Sequence, residues 1–557
     1  MPKFSLRSLF KWRRTSSKKS IVTSPIKPIY ETPESTPASS PQNSISDEIQ
    51  VEEDTINKKI PVPVKIPMAY YFTSKTFVGG KKVAFTRLHY KQNRRRLIIY
   101  ELDNVSSYPH IATFAHSGMI RFARQRVAVR AFSAAAETSV ANNIGKNVFA
   151  EFSALAAKHG ALNLGQGFPS FGTPGFLKDA AIQAIQAEHN QYTRPGGNPA
   201  LVQVLAELYS PIYGRQLNPM TEIVTFTGAQ EGIFCIFLSL LSKGDEVLIL
   251  EPYFDAYINI AKLLGIKTVG LPLELSAEKK AKYNDPSCKE SFSSKDLVLD
   301  LEKLEASITP NTKMIVLNTP HNPTGKVFSR EELEGIAAIM RRHPQIIILS
   351  DEVYEFMCFE GTPHERIATF DGMYDRVISL FSAGKTFSCT GWRVGYAILP
   401  EHFALPVSKT HSAVPFCGAL PFELAVAKGF QVAQNSGYLE ELPQILQSKR
   451  DVVVDALTAA NLKPIVPDGG YFVCCNVSTL DAYDEFRSFE NQTDLENELR
   501  PDYQMAQKLC VEHGITVIPT SPFFTSIATQ PSPAMVRIAY CKDDATIAKA
   551  VEIIKSF

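Results

Sequence analysis

From about residue 140 onward the sequence alternates between two periodicities, and this restricts the fold more than any other feature. Stretches with apolar residues at helical spacing (NVFAEFSALAAKHG, LKDAAIQAIQAEHNQ, PALVQVLAELYSPIYG) take turns with short runs rich in β-branched residues: EIVTF, EVLIL, KTVGLPL, KMIVLNT, IIILSDE and RVISLF. Strands alternating with helices predict an α/β fold, with helices cladding a mostly parallel central sheet. In such sheets ligands gather beyond the carboxyl ends of the strands. The polar groups of this sequence lie there: EIVTF runs into TGAQEG, EVLIL into EPYF, KMIVLNT into PHNPTG, IIILS into DEVY and RVISLF into SAGK. Five such strand ends weigh more together than any one motif.

Each strand end has a chemical use. Lys385 stands among small and hydroxylated residues, Ser382, Ala383, Gly384 and Thr386. A deprotonated lysine amine attacks carbonyl carbons, and partial burial beside other cations lowers its pKa enough to allow this. Arg393 supplies a cation, and Ser382 and Ser388 offer hydroxyls to a phosphate. That equipment suits pyridoxal phosphate held on Lys385; a surface lysine in a Gly/Ser turn is the alternative. Thr227, Gly228, Ala229 and Gln230 open a helix whose first amides suit a phosphate. Phe254 is placed either to stack on a pyridine ring or to fill the core. Asn322, between two prolines, is held to donate to a phenolic oxygen, which Tyr354 can share. Asp351 follows IIILS, a run suited to a fully buried strand, and a buried carboxylate needs a partner; a pyridinium nitrogen is one, and keeping it protonated makes the ring an electron sink. Arg537, in the short apolar run MVRIAY, needs an anion, either a substrate carboxylate or an Asp or Glu of the chain.

The front of the chain is a different polypeptide. Residues 1–136 hold 23 Lys+Arg against 9 Asp+Glu, a net of +14, although the whole chain carries only +1. Residues 1–60, dominated by Ser, Thr, Pro and Lys, predict disorder. Residues 61–118 are a basic segment without an assigned role, in which KKVAFTRLHYKQNRRRLIIYELDN suits two short strands; the cluster Arg94–Arg96 reads as a solvated charge run or as a contact for nucleic acid or acidic lipid. Residues 119–136 are rich in arginine, lack acids and alternate with apolar residues, the pattern of a mitochondrial presequence or of a basic linker helix. The expected working enzyme therefore starts between Met119 and about Asn143, located in mitochondria, cytoplasm or both. The nine cysteines are never spaced CxxC, which suggests reduced thiols and no metal site. The longest apolar run, GIFCIFLSLL, is too short for a membrane span, which takes about 20 residues.

From about Asn143 to Phe557 the chain resembles the fold-type I, class I/II aminotransferases, specifically the kynurenine aminotransferase and cysteine-S-conjugate β-lyase group. The residues that carry the resemblance are LNLGQGFP (162–169), NQYTRPGGNPAL (190–201), EPYFDAY (251–257), NTPHNPTGKVF (318–328), SDEVYE (350–355), SAGKTFSCTGWRVG (382–395) and VRIAYCKDDATI (536–547). The resemblance implies a large domain over about 180–415 and a smaller α/β domain from about 140–175 plus 416–557. It implies that Lys385 forms a Schiff base with pyridoxal 5'-phosphate, that Asp351 pairs with the ring nitrogen, and that Asn322 and Tyr354 hold the phenolic oxygen. Gly228, Ala229, Gln230, Ser382 and Arg393 are implied to bind phosphate, Phe254 to stack, and Gly167, Asn322 and Arg537 to take the substrate carboxylate. Tyr192 is implied to reach the phosphate of a neighbouring subunit, making a homodimer with shared active sites.

Some positions depart from the pattern. Gln230 stands where the family usually has tyrosine, Phe149 where an aromatic, tryptophan in some members, is often found, and Cys417 where some members carry histidine; Phe416 is retained. The expected pocket residues, Phe149, Tyr192, Phe254, Phe416, Phe523 and Phe524, are aromatic, and no second arginine is placed for a distal carboxylate. That favours kynurenine, aromatic amino acids, methionine or glutamine over aspartate as donor to a 2-oxo acid. Cysteine-conjugate β-elimination is an alternative within the chemistry. A non-catalytic module of the same fold, with a front end that binds nucleic acid or membrane, is an alternative of another class.

Overall fold

The computed structural model describes the backbone strands within residues 69–102 and then residues 142, 144–490, 492, 497–525 and 530–557. The disorder expected over 1–60 and the presequence-like segment 119–136 lie outside these described residues. Chain contacts divide into two units, Met1–Val129 and Arg130–Phe557. In the first, Lys81–Gln92 pairs antiparallel with both Ala69–Val78 and Arg95–Leu102. Lys81–Gln92 and Arg95–Leu102 are the two strands suggested for the stretch 81–104, and Ala69–Val78 precedes it.

The second unit is built on an eight-stranded sheet. Val377–Ser382, Ile347–Asp351, Thr312–Asn318, Glu246–Glu251 and Lys267–Glu274 lie side by side in that order, every neighbouring pair parallel. Gly395–Ile398 runs against Val377–Ser382 on one side and Ile223–Phe226 on the other, so Ile223–Phe226 points the same way as the five. Val298–Leu299 closes the far edge antiparallel. The six apolar runs read from the sequence are therefore the six co-directional strands, and their carboxyl ends share one edge of the sheet.

Alternation along each strand divides the core between the two faces. Val247, Ile249, Met314 and Val316 pack into one apolar cluster, and Leu248, Leu250, Ile315 and Leu317 into the other. Helices cover both faces, and their starts are written in the sequence. Asn147 accepts from Ala150 N to begin Val148–His159, Asn198 precedes Pro199 in Pro199–Tyr213, and Ser329 with Glu332 forms a capping box at Arg330–Arg342.

A second sheet, ordered Ile518–Pro519, Met535–Ala539, Phe472–Asn476, Pro464–Val466, Phe292–Ser293, draws on distant parts of the chain. Leu162–Asn163 pairs with Ile515–Thr516, and Ala539 N donates to Leu164 O at 2.7 Å. These pairings carry the loop Gly165–Phe168 and Arg537 to the same place. Among the described residues of 481–502, the short 3-10 turns Asp481–Tyr483, Arg487–Phe489 and Asn497–Leu499 precede the helix Pro501–Glu512.

Candidate active site

A cavity of about 210 Å³ opens at the shared carboxyl edge. Lys385 enters it from the short helix Ala383–Thr386 that follows its strand. Its Nζ donates to Gly167 O at 3.1 Å and to Tyr471 Oη at 2.6 Å. Burial brings the amine down to about 8, with Arg537 and, more weakly, Arg393 adding to the drop and Cys541 and Asp351 opposing it. Arg393, the cation suggested by sequence, is thus the smaller contributor.

Asp351 ends its strand with its carboxylate in the cavity. The partner it requires is present: Tyr257 Oη donates to Oδ2 at 2.5 Å, and Val353 N to Oδ1 at 3.4 Å. Burial still pushes the carboxyl up to about 6, against the pull of those bonds and of Lys385. Tyr257 was not among the expected site residues. Its signal lay in EPYFDAY, where it falls three residues after Phe254, on the inward side of the helix Asp255–Leu264.

Glu352 and Glu355 lead away from the cavity into a buried network. Arg366 pairs with Glu355 and lies 3.5 Å from Glu352, whose other contact is His364 Nε2 at 2.8 Å. Two carboxylates hold the guanidinium charged despite its burial. The network fixes the DEVYE segment from behind, leaving Asp351 and Tyr354 facing the cavity.

Arg537 is 2% exposed, in the strand Met535–Ala539, which lies between Phe472–Asn476 and Ile518–Pro519 in the second sheet. Among the described residues it makes no ion pair; its Nη2 donates to Gly165 O at 2.7 Å, its Nη1 to Asn322 Oδ1 at 3.1 Å, and its Nε has no partner. The rings of Phe472, Phe149 and Phe523 surround the guanidinium at 4.2, 4.9 and 5.7 Å. A buried cation held by neutral oxygens and ring faces retains its demand for an anion. Of the two partners the sequence allowed, a carboxylate of the chain is not supplied by the described residues. The bond to Arg537 also takes up the Asn322 carbonyl oxygen, so its NH₂ is the group left for a ligand.

At the opposite wall, Gly228 (φ +83°) caps the helix Ala229–Leu240 without any side-chain bond. A Cβ on Gly228 would fall 2.3 Å from Arg393 Nη2, and one on Gly395 would fall 2.6 Å from Ala229 N. Only glycine lets this helix start and the guanidinium approach so closely, and together they form an anion cradle. Arg393 itself holds a left-handed backbone (φ +57°), with Nη1 bonded to Thr390 O at 3.0 Å.

Of the predicted site residues, Gly167, Ala229, Gln230, Phe254, Asn322, Asp351, Tyr354, Ser382, Lys385, Arg393 and Arg537 all line this one cavity. Gly228 shapes it from behind. Tyr192 does not enter it: it is 80% exposed and meets Phe416 edge-on at 5.0 Å. Phe416 is likewise outside, as is Ser388, whose carbonyl accepts from Thr173. Phe523 stacks on Phe149 at 5.9 Å, but Phe524 turns into a neighbouring cavity with Tyr253 and Asp255. Besides Tyr257, sequence reasoning missed Gln166, Asn318, Tyr471 and Phe472. Glu231, Cys235 and His411 also converge, with donor atoms within 4.8 Å of one another. Hydrogen bonds close that group, because the Glu231 carboxylate takes Thr227 N at 3.0 Å, Cys235 Sγ at 2.7 Å and His411 Nδ1 at 3.0 Å. All nine cysteines are free thiols, and among the described residues no helix is long and apolar enough to cross a membrane.

A sheet with six co-directional strands, and a lysine, an aspartate, an anion cradle and a buried arginine where their carboxyl ends meet, defines a group-transfer enzyme of the aminotransferase type. Residues 160–554 match the family described as aminotransferase class I and II, and the chain belongs to it. Among its relatives, kynurenine–oxoglutarate transaminase of Dictyostelium discoideum is 40% identical over 434 residues, 78% of this chain and 98% of that protein. Human kynurenine–oxoglutarate transaminase 3 is 37% identical over 421 residues, 74% of this chain and 88% of that protein. Among solved structures, Saccharomyces cerevisiae Bna3p superposes with a TM-score of 0.67 at 32% identity, covering 74% of this chain and 96% of that one. Escherichia coli YbdL, reported with a methionine aminotransferase function, gives 0.65 at 27% identity over 75% and 99%.

Proposed function

We propose that this aminotransferase uses pyridoxal phosphate to transaminate L-kynurenine with a 2-oxo acid such as 2-oxoglutarate, giving kynurenate and glutamate. The observation that carries the proposal is the meeting, in one cavity, of a half-buried lysine whose amine is neutral in part at neutral pH and a buried arginine that has no carboxylate partner among the described residues. The residues fit the cofactor: the glycine-lined cradle takes a phosphate, Asp351 a ring nitrogen, and the Asn322 amide and Tyr354 hydroxyl a phenolic oxygen, with Phe254 against the ring. Bound there, pyridoxal phosphate supplies an aldehyde carbon for amines and a conjugated ring that accepts the electron pair left when a Cα–H bond breaks.

The chain's own residues do the rest. Lys385 provides the amine that holds the aldehyde carbon and, once released by a substrate amine, takes the proton from Cα; its lowered pKa makes it basic enough and free enough to do both. Tyr471 and the Gly167 carbonyl hold that amine in place. Arg537 and Asn322 fix the substrate carboxylate, which orients the Cα–H bond. Asp351, kept aligned by Tyr257, holds a proton on the ring nitrogen. The aromatic wall of Phe149, Phe254 and Phe472 favours a flat, uncharged side chain, and the names of the relatives point to kynurenine. A panel of amino donors with 2-oxoglutarate tests this. Kynurenine and aromatic donors should outpace aspartate, and faster turnover of aspartate would refute the substrate reading.

The active form we propose is a homodimer in which exposed Tyr192 reaches the phosphate of the neighbouring subunit. Light scattering of the purified chain tests the assembly. Tyr192→Phe should weaken cofactor retention, and a fully active monomer would contradict both statements.

A further inference from the structure

Gln166 lies beside the carboxylate subsite, one residue after Gly165, whose carbonyl holds Arg537. Its backbone N–H is taken by Asn163 Oδ1 at 3.1 Å and its carbonyl by Lys542 Nζ at 2.9 Å. In the side chain, Nε2 donates to Phe149 O at 3.0 Å and to Ser153 Oγ at 2.6 Å. A carbonyl can only accept, so the Phe149 contact fixes the orientation of the amide: turning it over would set two carbonyl oxygens against each other. Every polar atom of Gln166 is thus engaged except Oε1. That oxygen has no partner among the described residues, it is not sealed off in the interior, and the residue lines the cavity.

We infer that Gln166 is a specificity-determining residue: its Oε1 accepts a hydrogen bond from an N–H on the side chain of the amino donor. The class selected is amino acids that combine a flat or slender side chain with an N–H, the ring amine of kynurenine and the side-chain amide of glutamine being two cases. Phenylalanine and methionine offer the same walls nothing to donate. A fixed acceptor in a cavity discriminates because a donor lacking the N–H leaves the oxygen dry and unpaired. The inference deepens the proposed kynurenine reading and rests on its placement of the substrate carboxylate at Arg537.

The test separates the two. The holoenzyme is titrated calorimetrically with kynurenine lacking its α-amine, with and without the ring amine; neither compound can be transaminated. Wild type should bind the ring-amine form about three- to tenfold more tightly, the span of one neutral hydrogen bond. Gln166→Leu should abolish that preference, so that it binds the two forms equally. The kcat/KM ratios of glutamine to methionine and of kynurenine to phenylalanine should fall by the same factor. No preference in wild type, or one that survives in Gln166→Leu, overturns the inference. If Gln166→Leu does not fold, Gln166→Met takes its place and the wild-type comparison already decides. Failure to turn over kynurenine, with the ring-amine preference intact, would count against the proposed substrate and not against Gln166.

Discussion

Lys385 sets the chemistry through a single number, an amine pKa of about 8 where an ordinary lysine lies near 10.5. Only the neutral amine is a nucleophile, so the rate at which cofactor-free protein captures pyridoxal phosphate should rise through pH 7 and level off above about 8. A rate still climbing at pH 10, as for a solvated lysine, would contradict the burial argument. Tyr257→Phe removes the hydroxyl that stabilises ionised Asp351, so the carboxyl should rise further and the acid limb of the kcat/KM profile should move to higher pH. At Arg537, Arg537→Ala should cost about 1.5–3 kcal/mol of substrate binding, the worth of a hydrogen bond to a charged group. Arg537→Lys should not restore it, because an ammonium cannot span Gly165, Asn322 and a carboxylate as a planar fork does. Equal KM values for wild type and Arg537→Ala would remove Arg537 from the carboxylate site.

Among the elements, the helix Ala229–Leu240 and the loop Gly165–Phe168 are the two that make the cavity a site. Gly228→Ala would force a Cβ to within 2.3 Å of the Arg393 guanidinium and strain a left-handed backbone. Pyridoxal phosphate should then dissociate at least about tenfold more readily, about 1.4 kcal/mol, as spectrophotometric titration will show; an unchanged affinity would mean the cradle is not used. The co-directional strands and the groups at their ends were legible in the sequence because each strand is a short apolar run ended by a motif, and one-way strands bring their ends together. Tyr471, Phe472 and Gln166 were not legible, since they reach the site through pairings between residues hundreds of positions apart, such as Leu162 with Ile515. Phe416 and Phe524 misled for the same reason: an aromatic residue announces burial or contact, and only tertiary packing decides which cavity receives it.

Across the whole molecule, every side chain named in the cavity lies between Phe149 and Arg537. A chain lacking residues 1–118 should therefore keep the kcat/KM of the full chain, and loss of activity would show that the basic front part contributes to catalysis. The arginine-rich, acid-free stretch 119–136 predicts import, so a fluorescent reporter carrying residues 119–143 should enter mitochondria; a diffuse cytosolic signal would contradict that reading. Catalysis by this chain depends on one amine holding the cofactor at the meeting point of the strand ends. Borohydride reduction of the purified holoenzyme, followed by peptide mass mapping, tests it most directly. A single pyridoxyl-modified peptide carrying Lys385 is expected, and a label on another lysine, or on none, would rule out Lys385 as the holding amine.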